Sequence, residues 1–298
     1  MTIREQGFLL LTGYLGDPQR KVLTIPQLRK LALLARNMPR PQQERELTEQ
    51  DLIAVGCSRE IASRVIGLLS QEDQLIHYLH MGNRADCIPI TRISDTYPDR
   101  LRKALQLDAP GALWIKGDPS LLQTRTVSVV GSRDLRKENL VFAKELGKQA
   151  ALQGYTLVSG NARGADRAAQ DSCLAHGGSV ICVVADALDK QPLRKRVLYV
   201  SEEGFDLPFS ATRALQRNRI IHSLSEKTFV VQCAMGKGGT WSGTTHNLRH
   251  NWSQVICFDD GSPVCRELEC RGATLVGCEM NQPWDLGMPA AMEQMRIE

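Results

Sequence analysis

Residues 126–166 read TVSVVGSRDLRKENLVFAKELGKQAALQGYTLVSGNARGAD, and this stretch decides the fold. Thr126 to Val130 is a β-branched run without charge, which suits a strand buried on both faces. It ends in Gly131-Ser132-Arg133. A helical pattern follows from Lys137 to Gln153, with Leu140, Ala143, Leu146, Gly147 and Ala150 on one face and Gly154 as its stop. Tyr155 to Val158 predicts a second buried strand, running into Ser159-Gly160 and then Asn161-Ala162-Arg163-Gly164. Two such strands bring Ser, Gly and Arg twice to one sheet edge. Open parallel sheets bind ligands outside the carboxyl ends of their strands. Small residues let an anion reach backbone N–H groups, and each Arg offers a planar fork for phosphate. The expectation is a phosphate-binding edge. No G-x-G-x-x-G follows the first strand, so a dinucleotide is not implied and no cofactor is expected.

Downstream the alternation continues. Ala165, Ala168, Ala169, Cys173 and Leu174 mark a small-residue helix ended by Gly177-Gly178. Ser179 to Ala185, Val197 to Ser201, Thr228 to Val231 and Val255 to Phe258 predict further buried strands. Between them lie Phe209 to Leu224, rich in Arg, and Gly236-Lys237-Gly238-Gly239-Thr240-Trp241-Ser242-Gly243-Thr244-Thr245, which opens a helix. This rhythm predicts an α/β fold with a doubly wound parallel sheet. Upstream, Cys87 to Ile90 and Ala112 to Lys116 extend that sheet, and Tyr97 to Arg102 starts a helix with Pro98 in an early position.

Up to Gly82 the chain reads as helices only, with Pro39 and Pro41 breaking the second. Thr48 is a fair N-cap, with Asp51 three residues on, and Gly56-Cys57-Ser58 turns into a helix from Arg59 to Leu69. A helix, a short Gly turn and a second helix resemble a SAM-like or helix-hairpin-helix unit. Residues 1–82 are therefore expected to form a small all-helical domain and residues 85–298 the sheet domain.

With 42% hydrophobic residues, the 298-residue chain can bury a sizeable core. Its mean hydropathy is −0.24. A net charge of +4 is mild, so a nucleic-acid site must be a local patch. Nine cysteines, an odd number without C-x-x-C, argue for a reducing compartment, and no apolar run has the length of a signal peptide or membrane span. A cytoplasmic location without membrane contact is expected. His246 and His250 lie four apart, but Asn247 stands where a hydrolytic H-E-x-x-H has Glu, so no metal is expected. Trp241 and Trp252 are candidates for base stacking, and Arg194-Lys195-Arg196 could extend a phosphate track.

The series VVGSR (Val129 to Arg133), SGNARGAD (Ser159 to Asp166), HGGSVICVV (His176 to Val184), Ser201-Glu202 and RNRIIHSLS (Arg217 to Ser225) resembles the DprA/Smf family of DNA-processing proteins. GGTWSGTT (Gly238 to Thr245) occupies the place of that family's Ser-Gly-Ser/Thr turn, and order and spacing match from Ala85 to Glu279. The resemblance implies a Rossmann-like core that binds single-stranded DNA and helps to load a RecA-type recombinase during natural transformation. It also implies a homodimer and no enzymatic activity, hence no catalytic residue. The chain departs from the family at Gln170, Leu188 to Pro192, Arg213 to Gln216 and Asp259-Asp260-Gly261, and no C-terminal winged helix is expected in the residues after Cys278.

The expected binding set combines the residue reading and the resemblance: Gly131, Ser132, Arg133, Ser159, Gly160, Arg163, Gly164, Arg217, Asn218, Arg219, Gly239, Thr240 and Ser242. Arg133 and Arg163 would clamp phosphates, Arg217 and Arg219 would widen the basic groove, and Asn218 would order the loops. Two other readings stay open: a nucleotide sensor of the same superfamily, and a scaffold acting through residues 1–82. Hydrolysis fits poorly, because Trp241 to Asn247 contains no carboxylate.

Overall fold

The computed structural model describes residues 1–37 and 46–277, so the Pro39 and Pro41 breaks and everything from Cys278 onward lie outside it. Five helices open the chain: α1 (Ile3–Thr12), α2 (Ile25–Ala35), α3 (Glu49–Ala54), α4 (Arg59–Leu69) and α5 (Glu72–Arg84). The first three start in capping boxes at Thr2, Thr24 and Thr48, where the threonine hydroxyl accepts from the third helical N–H and an acidic or amide side chain returns the bond. Then follow β1 (Ile88–Thr91), α6 (Asp99–Leu105), β2 (Ala112–Lys116), β3 (Thr126–Val130), α7 (Lys137–Leu152), β4 (Thr156–Ser159) and α8 (Ala165–Ala175). The remainder is β5 (Ser179–Val183), β6 (Val197–Ser201), α9 (Ala211–Gln216), α10 (Asn218–Leu224), β7 (Lys227–Val230), α11 (Gly238–His250), β8 (Gln254–Phe258), α12 (Pro263–Cys270) and β9 (Thr274–Val276).

Among the described residues one sheet holds nine strands in the order β1-β2-β6-β5-β4-β3-β7-β8-β9. β2 pairs antiparallel with both β1 and β6, and every other pairing is parallel. Pro89, which has no N–H to give a ladder, sits in the edge strand β1. The winding starts at β3 and runs through β4, β5 and β6 to one side, then returns to β7 on its other flank. This is a doubly wound α/β fold of Rossmann type, with its switch point between β3 and β7.

β3 and β4 are buried along their whole length, as their apolar runs predict. One face of α7 differs from expectation. Asn139 and Phe142 are buried with Ala143, Leu146, Gly147 and Ala150, whereas Leu140 is 36% exposed. The amide explains the choice, because Asn139 Nδ2 donates to Val231 O at 2.8 Å and to Asp260 Oδ2 at 3.0 Å. A hydrogen-bonded amide can occupy a core position at little cost.

The helical region holds a small core of its own, built on Leu23, Leu31, Leu52, Ala62, Val65 and Leu68. It is also joined to the sheet: Leu9, Leu10, Leu75 and Tyr78 belong to the apolar cluster that covers one sheet face. Tyr78, Trp114 and Phe205 pack ring against ring with centroids 4.7–5.1 Å apart, and the Tyr78 hydroxyl donates to Asp206 at 2.7 Å. Among the described residues no helix is long and apolar enough to cross a membrane.

Candidate nucleic-acid interface

The carboxyl ends of β3 and β7 lie side by side, with Val130 level with Val230. A cavity of about 500 Å³ opens at this switch point. Its walls come from the turn after β3 (Gly131, Ser132, Arg133), the loop into α8 (Ala162, Asp166), the α9–α10 region from Phe209 to His222, and the start of α11 (Lys237 to Thr240).

The turn after β3 is held from the β7 side. Ser132 N and Oγ both donate to Gln232 O, at 2.9 and 3.3 Å. The Gln232 side chain accepts from Arg136 N at 3.0 Å and donates to Asp134 O at 3.1 Å. Thr240 Oγ1 donates to Gly131 O at 3.1 Å, so the start of α11 is tied to the same turn. Arg133 is exposed at the cavity wall. Gln232 was not legible as a site residue, since nothing near it in sequence marks it as the staple of a turn 100 residues earlier.

The turn after β4 carries the same residue types to a different end. Ser159 is fully buried and its hydroxyl accepts from Gln170 Nε2 at 2.5 Å. Gly160 N donates to Asp166 Oδ2 at 2.9 Å, while Gly160 O accepts from Arg217 Nη2 at 3.0 Å. A Cβ at Gly160 would fall 1.7 Å from Arg217 Nη1. Gly164 has φ +88°, and a Cβ there would lie 2.3 Å from Ser132 O and 2.5 Å from Arg133 O. This turn therefore packs against Arg217 and the first turn, and only glycine permits either approach. Arg163, expected to clamp phosphate beside Arg133, points to solvent and pairs with Asp134 at 2.8 Å.

Asp166, at the first turn of α8, was quoted in the sequence motif but not assigned a role. Its carboxylate accepts from Gly160 N and from Ala162 N at 3.2 Å, shaping the loop. Burial pushes its carboxyl above the ordinary range, and the Arg217 guanidinium and the two backbone donors pull it back. Burial lowers the Arg217 pKa in turn, opposed by Asp166. Each charge thus favours the ionised form of the other against the cost of burial.

α10 and α11 form the remaining wall. Asn218 Nδ2 donates to Gly239 O at 3.1 Å, the ordering role expected of it. α11 starts at Gly238, with φ +79°, after Lys237, whose side chain makes no capping hydrogen bond. An uncapped N-terminus presents unsatisfied donors and partial positive charge. Two expected residues are elsewhere. Arg219 turns away from the cavity to pair with Glu202 and to donate to Asp108 O at 2.5 Å. Ser242, the fifth residue of α11, is exposed and does not line the cavity.

Neither tryptophan lines the cavity: both pack against the second apolar cluster, Trp241 beneath the Arg271 guanidinium and Trp252 stacked on His250. The exposed aromatic at the cavity rim is Phe209, 57% exposed. Arg196 leads directly into the first residue of β6, at the amino end of the parallel strands. Arg194-Lys195-Arg196 thus lies at the opposite edge and does not extend the cavity. Among the described residues no group of three or more His, Cys, Asp or Glu is arranged to hold a metal ion.

The family model described as DNA recombination-mediator protein A matches residues 89–279. Protein Smf of Escherichia coli K12 is 33% identical over 156 residues, 49% of this chain and 41% of its own length. DNA processing protein DprA of Streptococcus pneumoniae R6 is 32% identical over 199 residues, 62% of this chain and 69% of its own. A crystal structure of S. pneumoniae DprA superposes with a TM-score of 0.70 at 25% identity, covering 93% of this chain and 95% of that one. The DprA structure from Helicobacter pylori, described for its single-stranded DNA binding mode, shares the fold at a TM-score of 0.54 and 23% identity, over 64% of this chain and 90% of that one. A family match over most of the sheet, with the VVGSR and SGNARGAD turns meeting at its switch point, makes this chain a member of the DNA recombination-mediator protein A (DprA/Smf) family.

Proposed function

We propose that the chain binds single-stranded DNA along the carboxyl edge of the sheet, as a DNA-processing protein without a catalytic step of its own. The observation that carries this is one cavity in which Ser132, Arg133, Lys237 and the uncapped start of α11 face the same space. Phosphates would sit against Arg133, Lys237 and the α11 N–H groups, and Phe209 at the rim offers a face for a base. The names of the similar proteins support a role in DNA processing, and the one from H. pylori is described as binding single strands.

Hand-over of the strand to a RecA-type recombinase in natural transformation, and a homodimer, belong to the same reading. One cavity covers only a few nucleotides, and two related by a two-fold axis would gain avidity on one strand. Residues 1–82 act in it as a helical unit packed against the sheet unit of residues 85–298, and eight unpaired thiols among the described cysteines suit a cytoplasmic setting. The second reading, a small-nucleotide sensor, is favoured by the compactness of the cavity.

A titration with a single strand of about 20 nucleotides, its duplex and free nucleotides at two salt concentrations tests the proposal. Counterion release predicts tight, steeply salt-dependent binding of the single strand. A shallow slope with tight mononucleotide binding would replace the first reading by the second.

A further inference from the structure

The helix that joins the helical region to the sheet, α5, has two faces. Leu75, Tyr78 and Gly82 are buried on the inner one. Tyr78 packs there on Trp114 and Phe205, and a Cβ at Gly82 would lie 2.9 Å from the Trp114 ring, so the helix is seated closely and held rigidly. The outer face carries Asp73, Ile76, His77, His80, Met81 and Arg84, all exposed. Their spacing, i, i+3, i+4, i+7, i+8 and i+11, makes one continuous helical stripe. Acid in the first turn and base in the last suit the helix dipole. The dipole does not account for Ile76 and Met81 between them, which are 52% and 42% exposed. Among the described residues neither Asp73 nor Arg84 has an ion-pair partner.

The stripe is self-complementary. Asp73 and Arg84, Ile76 and Met81, and His77 and His80 are each placed symmetrically about one point, between Tyr78 and Leu79. A two-fold axis through that point lays α5 antiparallel on the same helix of a second copy. Asp73 then meets the partner's Arg84, Ile76 the partner's Met81 and His77 the partner's His80, and each contact occurs twice, as an isologous interface requires. A parallel pair would instead set acid on acid and base on base. We propose that the outer face of α5 is the contact between two copies of this chain, an antiparallel helix pair about that axis. This rests on the homodimer of the proposed function and gives it a surface. None of the α5 residues lines the cavity, so the contact leaves both cavities open to a strand. One pair of 13-residue helices is smaller than the roughly 1,600 Å² of a stable interface, so the dimer is expected to be weak and reversible, in the micromolar range.

The test is sedimentation equilibrium on the full chain, comparing the wild type with D73R, with R84D, and with an equimolar mixture of the two variants. Each variant alone puts like charges at both ends of the pair and should weaken self-association about tenfold. In the mixture the D73R chain has only positive ends and the R84D chain only negative ones, so association should return to the wild-type level. A wild-type dimer whose dissociation constant is unmoved in both variants overturns the contact and leaves the homodimer standing. Weakening in each variant without recovery in the mixture also overturns it, because loss of helix stability alone gives that pattern. A wild type that stays monomeric throughout removes the homodimer together with its surface. Single-strand affinity measured in parallel reports on the cavity separately.

Discussion

Two turns of nearly identical chemistry, one after β3 and one after β4, do different work. Gly131-Ser132-Arg133 stands at the cavity wall, its arginine exposed and its serine held by Gln232. Ser159, Gly160 and Gly164 are spent inside the protein, on Gln170, Asp166, Arg217 and the carbonyls of the first turn, while Arg163 turns to solvent and Asp134. The lesson is that repeated residue types at neighbouring strand ends need not repeat a role. The second turn has its glycines because Arg217 and the first turn pack closely against it, and Gly131 in the first leaves no room for a Cβ beside Ala165 and Val231. The closed turn is what holds the open one in shape.

If so, the largest effect should come from the closed turn. Gly164→Ala forces a Cβ onto two carbonyl oxygens of the first turn at a backbone angle that side chains avoid. A loss of about 3 kcal/mol in stability is expected by urea unfolding, with single-strand affinity falling in the folded fraction as well. Wild-type unfolding and affinity would mean that the two turns are not coupled.

The open turn should act on binding alone. Arg133→Ala is expected to weaken single-strand affinity about tenfold and to reduce the salt slope by about one, with an unchanged melting temperature. A melting point several degrees lower would give Arg133 a structural role like that of the closed turn's glycines.

Acid separates the two sides further. Asp166 lies beneath the closed turn with its pKa raised, so protonation through that group favours the folded state. His222, at the cavity floor, has its pKa depressed to about 3 from 6.5. Its unfolded form binds a proton that the folded form refuses, so its contribution is complete above pH 6.5 and is lost as pH falls from there towards 3. Between pH 7 and 5 the wild type should lose about 2 kcal/mol more stability than His222→Gln. Parallel pH profiles of the two proteins would show that the imidazole titrates normally.

The smallest effect belongs to Arg163. Its pair with Asp134 has both side chains more than three-quarters exposed. Arg163→Ala should change stability by no more than about 0.5 kcal/mol, and affinity less than Arg133→Ala does. An affinity loss equal to that of Arg133→Ala would restore the symmetric clamp.

Much of this was legible in the sequence, because buried parallel strands and glycine-stopped helices write themselves as apolar runs and punctuation. The strands from Thr126 and Ala112, the helix from Arg59 and the Thr48 cap lie where the residues place them. What escaped depends on partners distant in sequence. Asn139 displaced Leu140 from the core because Val231 and Asp260 receive its amide. Arg219 left the groove for Glu202, and Arg217 stayed, although only Asn218 separates the two at the start of α10. β9, three residues long and at the sheet edge, carries too little periodicity to be read alone. His222 looked like one residue of a family motif, and only the Asn247–Ser253 network shows which nitrogen carries the proton.

The most direct test of the central claim is to find where a strand lies. A single-stranded oligonucleotide of about 20 nucleotides carrying photoreactive 5-iodouracil, crosslinked to the full chain and mapped by mass spectrometry, reads the contact residue by residue. Crosslinks should fall on Phe209 and on the Lys237–Thr240 segment, and Arg133→Ala should diminish them. Crosslinks confined to the helical region or to the Arg194–Arg196 edge, with the cavity unmarked, would contradict the account.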